Sequence, residues 1–219
     1  QILKRIKPTN AEEKETLSCI SEFVGSLNKV LLDARAVLGG SGAKGTWLKQ
    51  HDADLFVLFP YAQYKAKTAE LSDILEGRLK ELGKKYERLH GSRDYFRFHE
   101  CDLIYEVIPI LEIGRAREAL NITDVSPLHA AWVRKNSGEK VRDEIRLAKA
   151  FAKAQKCYGA ESYIRGFSGY VLEVLVVHYG GFEKLLKNTL LWQQKQIIDA
   201  GKLFGKKENV WMVLNEAKL

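Results

Sequence analysis

Two aspartates separated by one residue are the side chains whose spacing most directly suggests chemistry. Asp52 and Asp54 precede an apolar run, Leu55 to Phe59, which is typical of a buried strand. Because side chains alternate along a strand with a period of two, both carboxylates are predicted to point to the same face. Carboxylates this close repel each other unless a divalent cation lies between them, and their oxygens suit Mg²⁺. The pair therefore predicts a metal site.

A glycine-rich turn lies shortly before the two aspartates. It spans Gly39 to Gly42 (GGSG), follows a short apolar strand end at Ala36 to Leu38, and leads into a short polar helix. The start of a helix presents free backbone N–H groups and the positive end of the helix dipole, which together suit a phosphate. A phosphate cradle so near a metal site indicates phosphoryl or nucleotidyl transfer.

Glu106 is a third acidic candidate, in the middle of an apolar strand predicted at Asp102 to Leu111. An acidic side chain among Ile, Tyr and Val residues is costly unless it points into a polar site. The alternative is that Glu106 faces solvent on an edge strand, and Pro109 favours a strand end or an edge. The residues alone leave both interpretations open.

Amphipathic helices and short strands surround these residues. Apolar side chains recur at helical spacing in Asn10 to Leu32 and in Lys67 to Leu82, and strands are predicted at Tyr86 to His90 and Tyr95 to His99. The polar, turn-prone stretch that begins at residue 112 is where we place a domain boundary, because helices dominate after it. The later elements are predicted as helices at Pro127 to Lys135, Gly138 to Cys157, within Tyr163 to Tyr179 and at Phe182 to Gln196, with a last strand at Val210 to Leu214.

Composition restricts the class of protein. A chain of 219 residues with 46% hydrophobic and 29% charged residues is that of an ordinary globular protein. The net charge of +7 favours an acidic partner, although charge alone leaves nucleic-acid binding open. The cysteines at positions 19, 101 and 157 are few, odd in number and scattered, which favours a reducing compartment. With no apolar run of ~20 residues, these features predict a cytoplasmic protein.

Several blocks of the sequence resemble one family. The block from Gly40 to Trp47 (GSGAKGTW), followed by Asp52 to Pro60 (DADLFVLFP), closely resembles the head domain of archaeal (class I) CCA-adding enzymes. These are tRNA nucleotidyltransferases of the polymerase-β superfamily. A second block, Cys157 to Glu161 with Arg165 to Tyr170, resembles that family's YGAE…RGFSGY segment. A third, Ser126 to His129 with Trp132, resembles its TPFH…W segment. The resemblance covers essentially the whole chain.

The resemblance implies an α+β fold, with a polymerase-β-like nucleotidyltransferase head at residues 1–112 and a mainly helical domain that contacts nucleotide and RNA at 113–219. It implies template-independent addition of CMP and/or AMP, from CTP and/or ATP, to the 3′ end of tRNA or a tRNA-like RNA, with pyrophosphate release. Three carboxylates hold two Mg²⁺ ions in the family. Asp52 and Asp54 match the first two, and Glu106 fills the register where the family has Asp, while Asp102 competes for that third place.

The resemblance also implies which residues contact the nucleotide. For three of them we keep an alternative: Lys149 as a plain solvated lysine of a basic helix, and Tyr158 and Arg165 as residues that only pack the seam between the predicted domains. The other basic residues of the Gly138 to Cys157 helix are predicted to bind RNA. The full set assigned to the nucleotide is Gly40, Ser41, Lys44, His129, Lys149, Tyr158, Arg165 and Ser168.

One departure from the family concerns the C-terminus. Family members continue into a DPxDxxRN-type segment that reads the base and then into domains that grip the tRNA, whereas this sequence reaches roughly that point at residues 210–219. The expectation is a minimal form lacking these domains, with a homo-oligomer or a second chain as possible suppliers of the missing region. Two alternatives remain: a nucleotidyltransferase with another acceptor, for oligonucleotide synthesis or protein modification, or a non-autonomous core subunit of a split enzyme.

Overall fold

The structure is a computed structural model that describes residues 1–49, 52–161, 163–193 and 196–201. The chain divides into two compact units. One unit, Pro8–Ala131, is called the head unit below, and the other, Gln1–Lys7 with Trp132–Leu219, is called the helical unit. The strand predicted at 210–214 lies outside the described residues. None of the described helices is long and apolar enough to span a membrane.

The elements largely follow the predicted order. The strands are β1 (Arg35–Leu38), β2 (Ala53–Pro60), β3 (Glu87–Leu89), β4 (Tyr95–Glu100) and β5 (Leu103–Glu112). The helices of the described residues are α1 (Ile2–Ile6), α2 (Asn10–Val30), α3 (Gly40–Lys44), α4 (Tyr61–Tyr64), α5 (Leu71–Leu79), α6 (Ser126–Asn136), α7 (Glu139–Ala154), α8 (Gly169–Tyr179) and α9 (Phe182–Thr189). The helix predicted at 67–82 is α5 with a 3₁₀ turn before it and another after it.

A five-stranded sheet forms the centre of the head unit. Its strand order is β1-β2-β5-β4-β3, and β2 and β5 are parallel whereas the other neighbours are antiparallel. One face of the sheet packs against α2 and α5, which bury Leu27 and Leu75 completely. A capping box starts α2, in which Thr9 N–H donates to Glu12 Oε2 at 2.7 Å and Glu12 N–H donates to Thr9 Oγ1 at 3.3 Å.

The opposite face of the sheet carries a smaller apolar cluster. Phe56 and Leu58 on β2 pack there with Ile108 and Ile110 on β5. Asp54 and Glu106 lie two residues before Phe56 and Ile108 on these strands. Because side chains alternate along a strand, the two acidic residues lie on the same face as the apolar cluster. The sheet therefore places polar groups where the apolar cluster ends.

The head unit extends beyond the boundary predicted at residue 112. Asp124 is fully buried in the second of two 3₁₀ turns that follow β5, and its Oδ1 accepts from the backbone N–H of Leu111 at 2.9 Å and from Arg93 Nη1 at 2.6 Å. These bonds join the segment after residue 112 to the end of β5. Its composition predicted a domain boundary because the tertiary bonds of its polar residues are not visible in the sequence.

The helical unit has its own core. Helices α6 to α9 contribute Val133, Ile145, Val176 and Leu185 to one buried cluster. The four predicted helices are confirmed. Helix α6 is one residue longer at each end than predicted, α7 and α9 are shorter, and α8 lies within the predicted stretch. The N-terminal residues also form a helix, α1, and Lys7 after it pairs with Asp143 of α7 at 3.0 Å.

Candidate active site

The glycine-rich segment begins a helix against the carboxylate of Asp54. Gly40 is the first residue of α3 and has a φ of +49°. A Cβ added to Gly40 would lie 1.6 Å from Asp54 Oδ2, so only a residue without a side chain permits this approach. Gly39 N–H donates to the backbone oxygen of Asp54 at 2.7 Å. The predicted turn and the short helix after it are thus one element, with Ser41 in the first turn of α3.

Parallel pairing brings two of the predicted carboxylates together. Asp54 on β2 is the direct partner of Glu106 on β5, and both side chains are half-buried. Asp52 is exposed and lies immediately before β2, two residues from Asp54 and in phase with it. The competing residue, Asp102, is exposed in the turn between β4 and β5 with a φ of +55°. At four residues from Glu106 it lies ~13 Å away along the strand direction.

Arg97 is a neighbour of Glu106 that the sequence interpretation missed. The two residues are paired in the β4–β5 ladder, and Arg97 Nη2 donates to Glu106 Oε1 at 2.7 Å. This hydrogen bond raises the pKa of the Arg97 guanidinium. Burial, followed by the negative charge of Glu106, raises the pKa of nearby Tyr95. The alternation of β4 could have predicted a shared face for Tyr95 and Arg97, but not which carboxylate they meet.

The acidic residues fit a divalent cation by their chemistry. Asp52, Asp54 and Glu106 offer the hard carboxylate oxygens that Mg²⁺ prefers. The missing side chain of Gly40 keeps the backbone of α3 close to one of them. Among residues 1–49, 52–161, 163–193 and 196–201, however, no group of three acidic, His or Cys side chains converges closely enough to form a ready metal cluster.

The other predicted nucleotide contacts of the head unit lie on α3 and α6. Lys44, in the last turn of α3, is buried, as are Thr46 and Trp47 after it. His129 lies half-buried on α6. Burial of Lys44 fixes its position against the head unit, in contrast to an exposed lysine that samples many rotamers.

Three predicted residues of the helical unit meet at the start of α8. Ser168 caps this helix, and its Oγ accepts from Val171 N–H at 3.2 Å. A Cβ on Gly169 would lie 2.7 Å from the hydroxyl of Tyr158 and 3.8 Å from Cε of Lys149. Arg165 is exposed in the preceding turn with a φ of +53°. Lys149, Tyr158 and Ser168 therefore form one local group, and Arg165 lies beside it in sequence.

Lys149 is not the solvated lysine that its basic helix suggested. It is 4% exposed and donates to Glu173 Oε1 at 2.6 Å, and Glu173 is 0% exposed. Burial and the charge of Glu173 raise the pKa of neighbouring Tyr170 to about 12. The signal for this pair was present, because an acid in the apolar run of α8 requires a buried partner.

The basic residues of α7 differ in exposure. Arg146 is buried like Lys149, and it donates to Asp143 at 2.6 Å, while Arg142 is half-buried. The prediction that this segment binds RNA therefore concentrates on its exposed cations, which are Lys140 and Lys153 on α7 and Lys156 just after it.

Replacing Gly40 by Ala is expected to lower the free energy of unfolding by at least ~2 kcal/mol. The added methyl would overlap the Asp54 side chain, and a residue with a Cβ resists a positive φ. Gly77→Ala is the matched control: Gly77 lies in α5 with no atom within 4 Å of an added Cβ, so it should stabilise the protein by about 0.5–1 kcal/mol. Urea unfolding measures both, and equal midpoints for the two variants would contradict the close approach at Gly40.

Solved structures with the same architecture define the fold class. A structure of the CdnC protein of E. coli MS115-1 with ATP superposes with a TM-score of 0.66 at 14% identity, covering 94% of this chain and 75% of that one. A structure of Cid1, described for its RNA terminal uridylyl transferase activity, gives a TM-score of 0.58 at 19% identity, over 81% of this chain and 50% of that one. The predicted fold class is confirmed: α+β, with a polymerase-β-like nucleotidyltransferase head.

Sequence comparison gives the family. Residues 17–121 match the nucleotidyltransferase domain, and residues 143–215 match the second domain of tRNA nucleotidyltransferases. The CCA-adding enzyme of Nanoarchaeum equitans is 42% identical over 82% of this chain, and that of Sulfurisphaera tokodaii is 37% identical over 86%. The chain belongs to the tRNA nucleotidyltransferase family. It spans less than half the length of these relatives, 44% and 45% respectively.

Proposed function

We propose that this chain adds CMP and/or AMP, without a template, to the 3′ end of tRNA or a tRNA-like RNA, with release of pyrophosphate. The observation that carries the proposal is the pairing of Asp54 with Glu106 on adjacent parallel strands, directly against the start of α3. This arrangement lies in a chain that also matches the second domain of tRNA nucleotidyltransferases. The acceptor and the nucleotides named in the proposal are inferred from the similarity of the chain to CCA-adding enzymes.

Asp52, Asp54 and Glu106 are the residues that would hold two Mg²⁺ ions. In such sites the ions supply activation of the terminal 3′-hydroxyl and neutralisation of the triphosphate. Glu106 takes the third place in preference to Asp102, because it is the strand partner of Asp54 whereas Asp102 lies in an exposed turn. The β-sheet fixes the backbone of Asp54 and Glu106, so their carboxylates start from a rigid support.

The residues that we assign to the nucleotide form two groups, one in the head unit and one in the helical unit. In the head unit, the backbone at Gly40 and Ser41 and the side chains of Lys44 and His129 are assigned to the nucleotide. In the helical unit, Arg165 is assigned with the local group formed by Lys149, Tyr158 and Ser168. The buried pair of Lys149 with Glu173 supports this assignment, because it holds the lysine in one position beside the start of α8.

Incubation of the purified chain with Mg²⁺, one labelled nucleoside triphosphate at a time, and tRNA tests the proposal. Three tRNA forms are needed, ending at the discriminator base, after C and after CC. We expect labelled CMP or AMP on at least one form, and no incorporation once the divalent ions are removed with EDTA. A full set of reactions without incorporation would reject an autonomous enzyme. Label on another RNA or on protein, with none on tRNA, would point to a different acceptor.

A further inference from the structure

Arg97 places a fixed positive charge at the proposed metal site. Its guanidinium donates to Glu106 at 2.7 Å from the facing position of the neighbouring strand. The negative charge of Asp52 also acts on it. A cation supplied by the protein therefore lies among the groups to which a divalent ion would bind.

The ion pair with Glu106 is the main polar contact that the structure gives this guanidinium. Arg97 Nε is buried and has no hydrogen-bond partner within the described part of the chain. Burying a donor that makes no hydrogen bond costs free energy. The hydrogen bond from Arg97 to Glu106 offsets this cost and holds the side chain in its observed conformation. Arg97 in turn engages one oxygen of Glu106, which fits the observation that the described residues form no ready three-carboxylate cluster.

We infer that Arg97 is a positioning residue that holds the carboxylate of Glu106 and competes with a divalent cation for it. The inference rests on the proposed role of Glu106 as third carboxylate. Occupation of the site then requires the cation to share or displace the Arg97 bond and to approach a positive charge. Both effects lower the affinity for the metal, so Arg97 sets the concentration of divalent ion at which the site fills.

Glu106 has the reach that this contact needs. The two methylenes of its side chain carry the carboxylate from β5 to the Arg97 guanidinium on β4, at 2.7 Å. Glu106 and Arg97 are direct cross-strand partners, a geometry in which opposite charges stabilise a sheet. The glutamate and the arginine therefore act as one unit, and the effect of Arg97 should depend on the charge of residue 106.

Direct Mn²⁺ binding to the full chain, without nucleotide or RNA, tests the inference. Electron paramagnetic resonance of free Mn²⁺ gives the dissociation constant for each variant. We expect Arg97→Gln to bind Mn²⁺ about tenfold more tightly than the unaltered chain, a difference of ~1.4 kcal/mol. Arg97→Lys, which keeps the charge, should stay near the original affinity. Lys85→Gln is the matched control, because it removes an exposed charge from the same cavity as Arg97, and it should change the constant less than twofold.

A second comparison isolates the pair from the general loss of charge. In a Glu106→Gln background, Arg97→Gln should tighten Mn²⁺ binding clearly less than it does beside Glu106, because the competition for the carboxylate is gone and only the repulsion by the guanidinium charge is removed. Unchanged or weaker binding by Arg97→Gln alone would overturn the inference, as would equal gains with and without Glu106. Thermal unfolding of each variant identifies any that fail to fold. A chain that binds Mn²⁺ as described but incorporates no nucleotide would reject the proposed function and leave this inference standing.

Discussion

Replacing Asp54 by Asn is expected to reduce nucleotide incorporation by about 10²–10³-fold, the usual loss when one preorganised electrostatic contact is removed. Asn keeps the shape of the side chain but cannot offer a full negative charge to a divalent ion. The bond from Gly39 N–H to the backbone oxygen of Asp54 does not involve the substituted atoms, so it should persist in the variant. Steady-state incorporation of labelled CMP or AMP into tRNA measures the activity, and thermal unfolding checks the fold.

Asp102→Asn is the control for that experiment. Asp102 carries the same side chain as Asp54 and belongs to the same unit, but it lies in the exposed turn before β5. Its substitution should change incorporation by less than about twofold, because exposed charges away from a site have small effects. Glu106→Gln should reduce incorporation strongly. Incorporation that survives in Asp54→Asn would reject the metal assignment, and a larger loss in Asp102→Asn than in Glu106→Gln would reverse the choice of third carboxylate.

The sequence predicted the elements of the head unit because their hydrophobic patterns are local. Alternation identified β4, continuous apolar runs identified the central strands β2 and β5, and helical spacing identified α2 to within two residues of its end. The face shared by Asp52 and Asp54 also follows from strand periodicity alone. These properties depend on neighbours in sequence, so no tertiary information was needed for them.

The partners of those residues could not be predicted in the same way. The contact of Arg97 with Glu106 depends on the register of β4 against β5, and a shift of one residue would place Arg97 on the other face. The buried hydrogen bonds of Asp124 join the segment after residue 112, where composition predicts a domain boundary, to the end of β5. In both cases the hydrogen bond joins residues that are distant in sequence. The residues around each polar side chain do not indicate which partner it will contact in the fold.

The buried ion pair of the helical unit leads to the largest expected change in stability. Lys149→Met should lower the free energy of unfolding by about 3–5 kcal/mol, because it removes the ammonium group that donates to the buried carboxylate of Glu173. Glu173 lies on α8 and is 0% exposed, so bulk water cannot replace the lost ammonium. Urea unfolding of the variant and the original chain measures the difference.

Two further variants separate the buried pair from lysine loss in general. The double variant Lys149→Met/Glu173→Leu should recover most of the lost stability, since apolar side chains of similar volume can replace a buried pair. Lys187→Met removes the lysine of an exposed pair in the same unit, where Lys187 and Glu183 are 72% and 79% exposed, and the unfolding midpoint should not change. If the double variant is no more stable than Lys149→Met, the lysine stabilises the unit through contacts other than Glu173. If the double variant recovers stability but loses nucleotide incorporation, the buried pair serves the nucleotide site and not only the packing of α7 against α8.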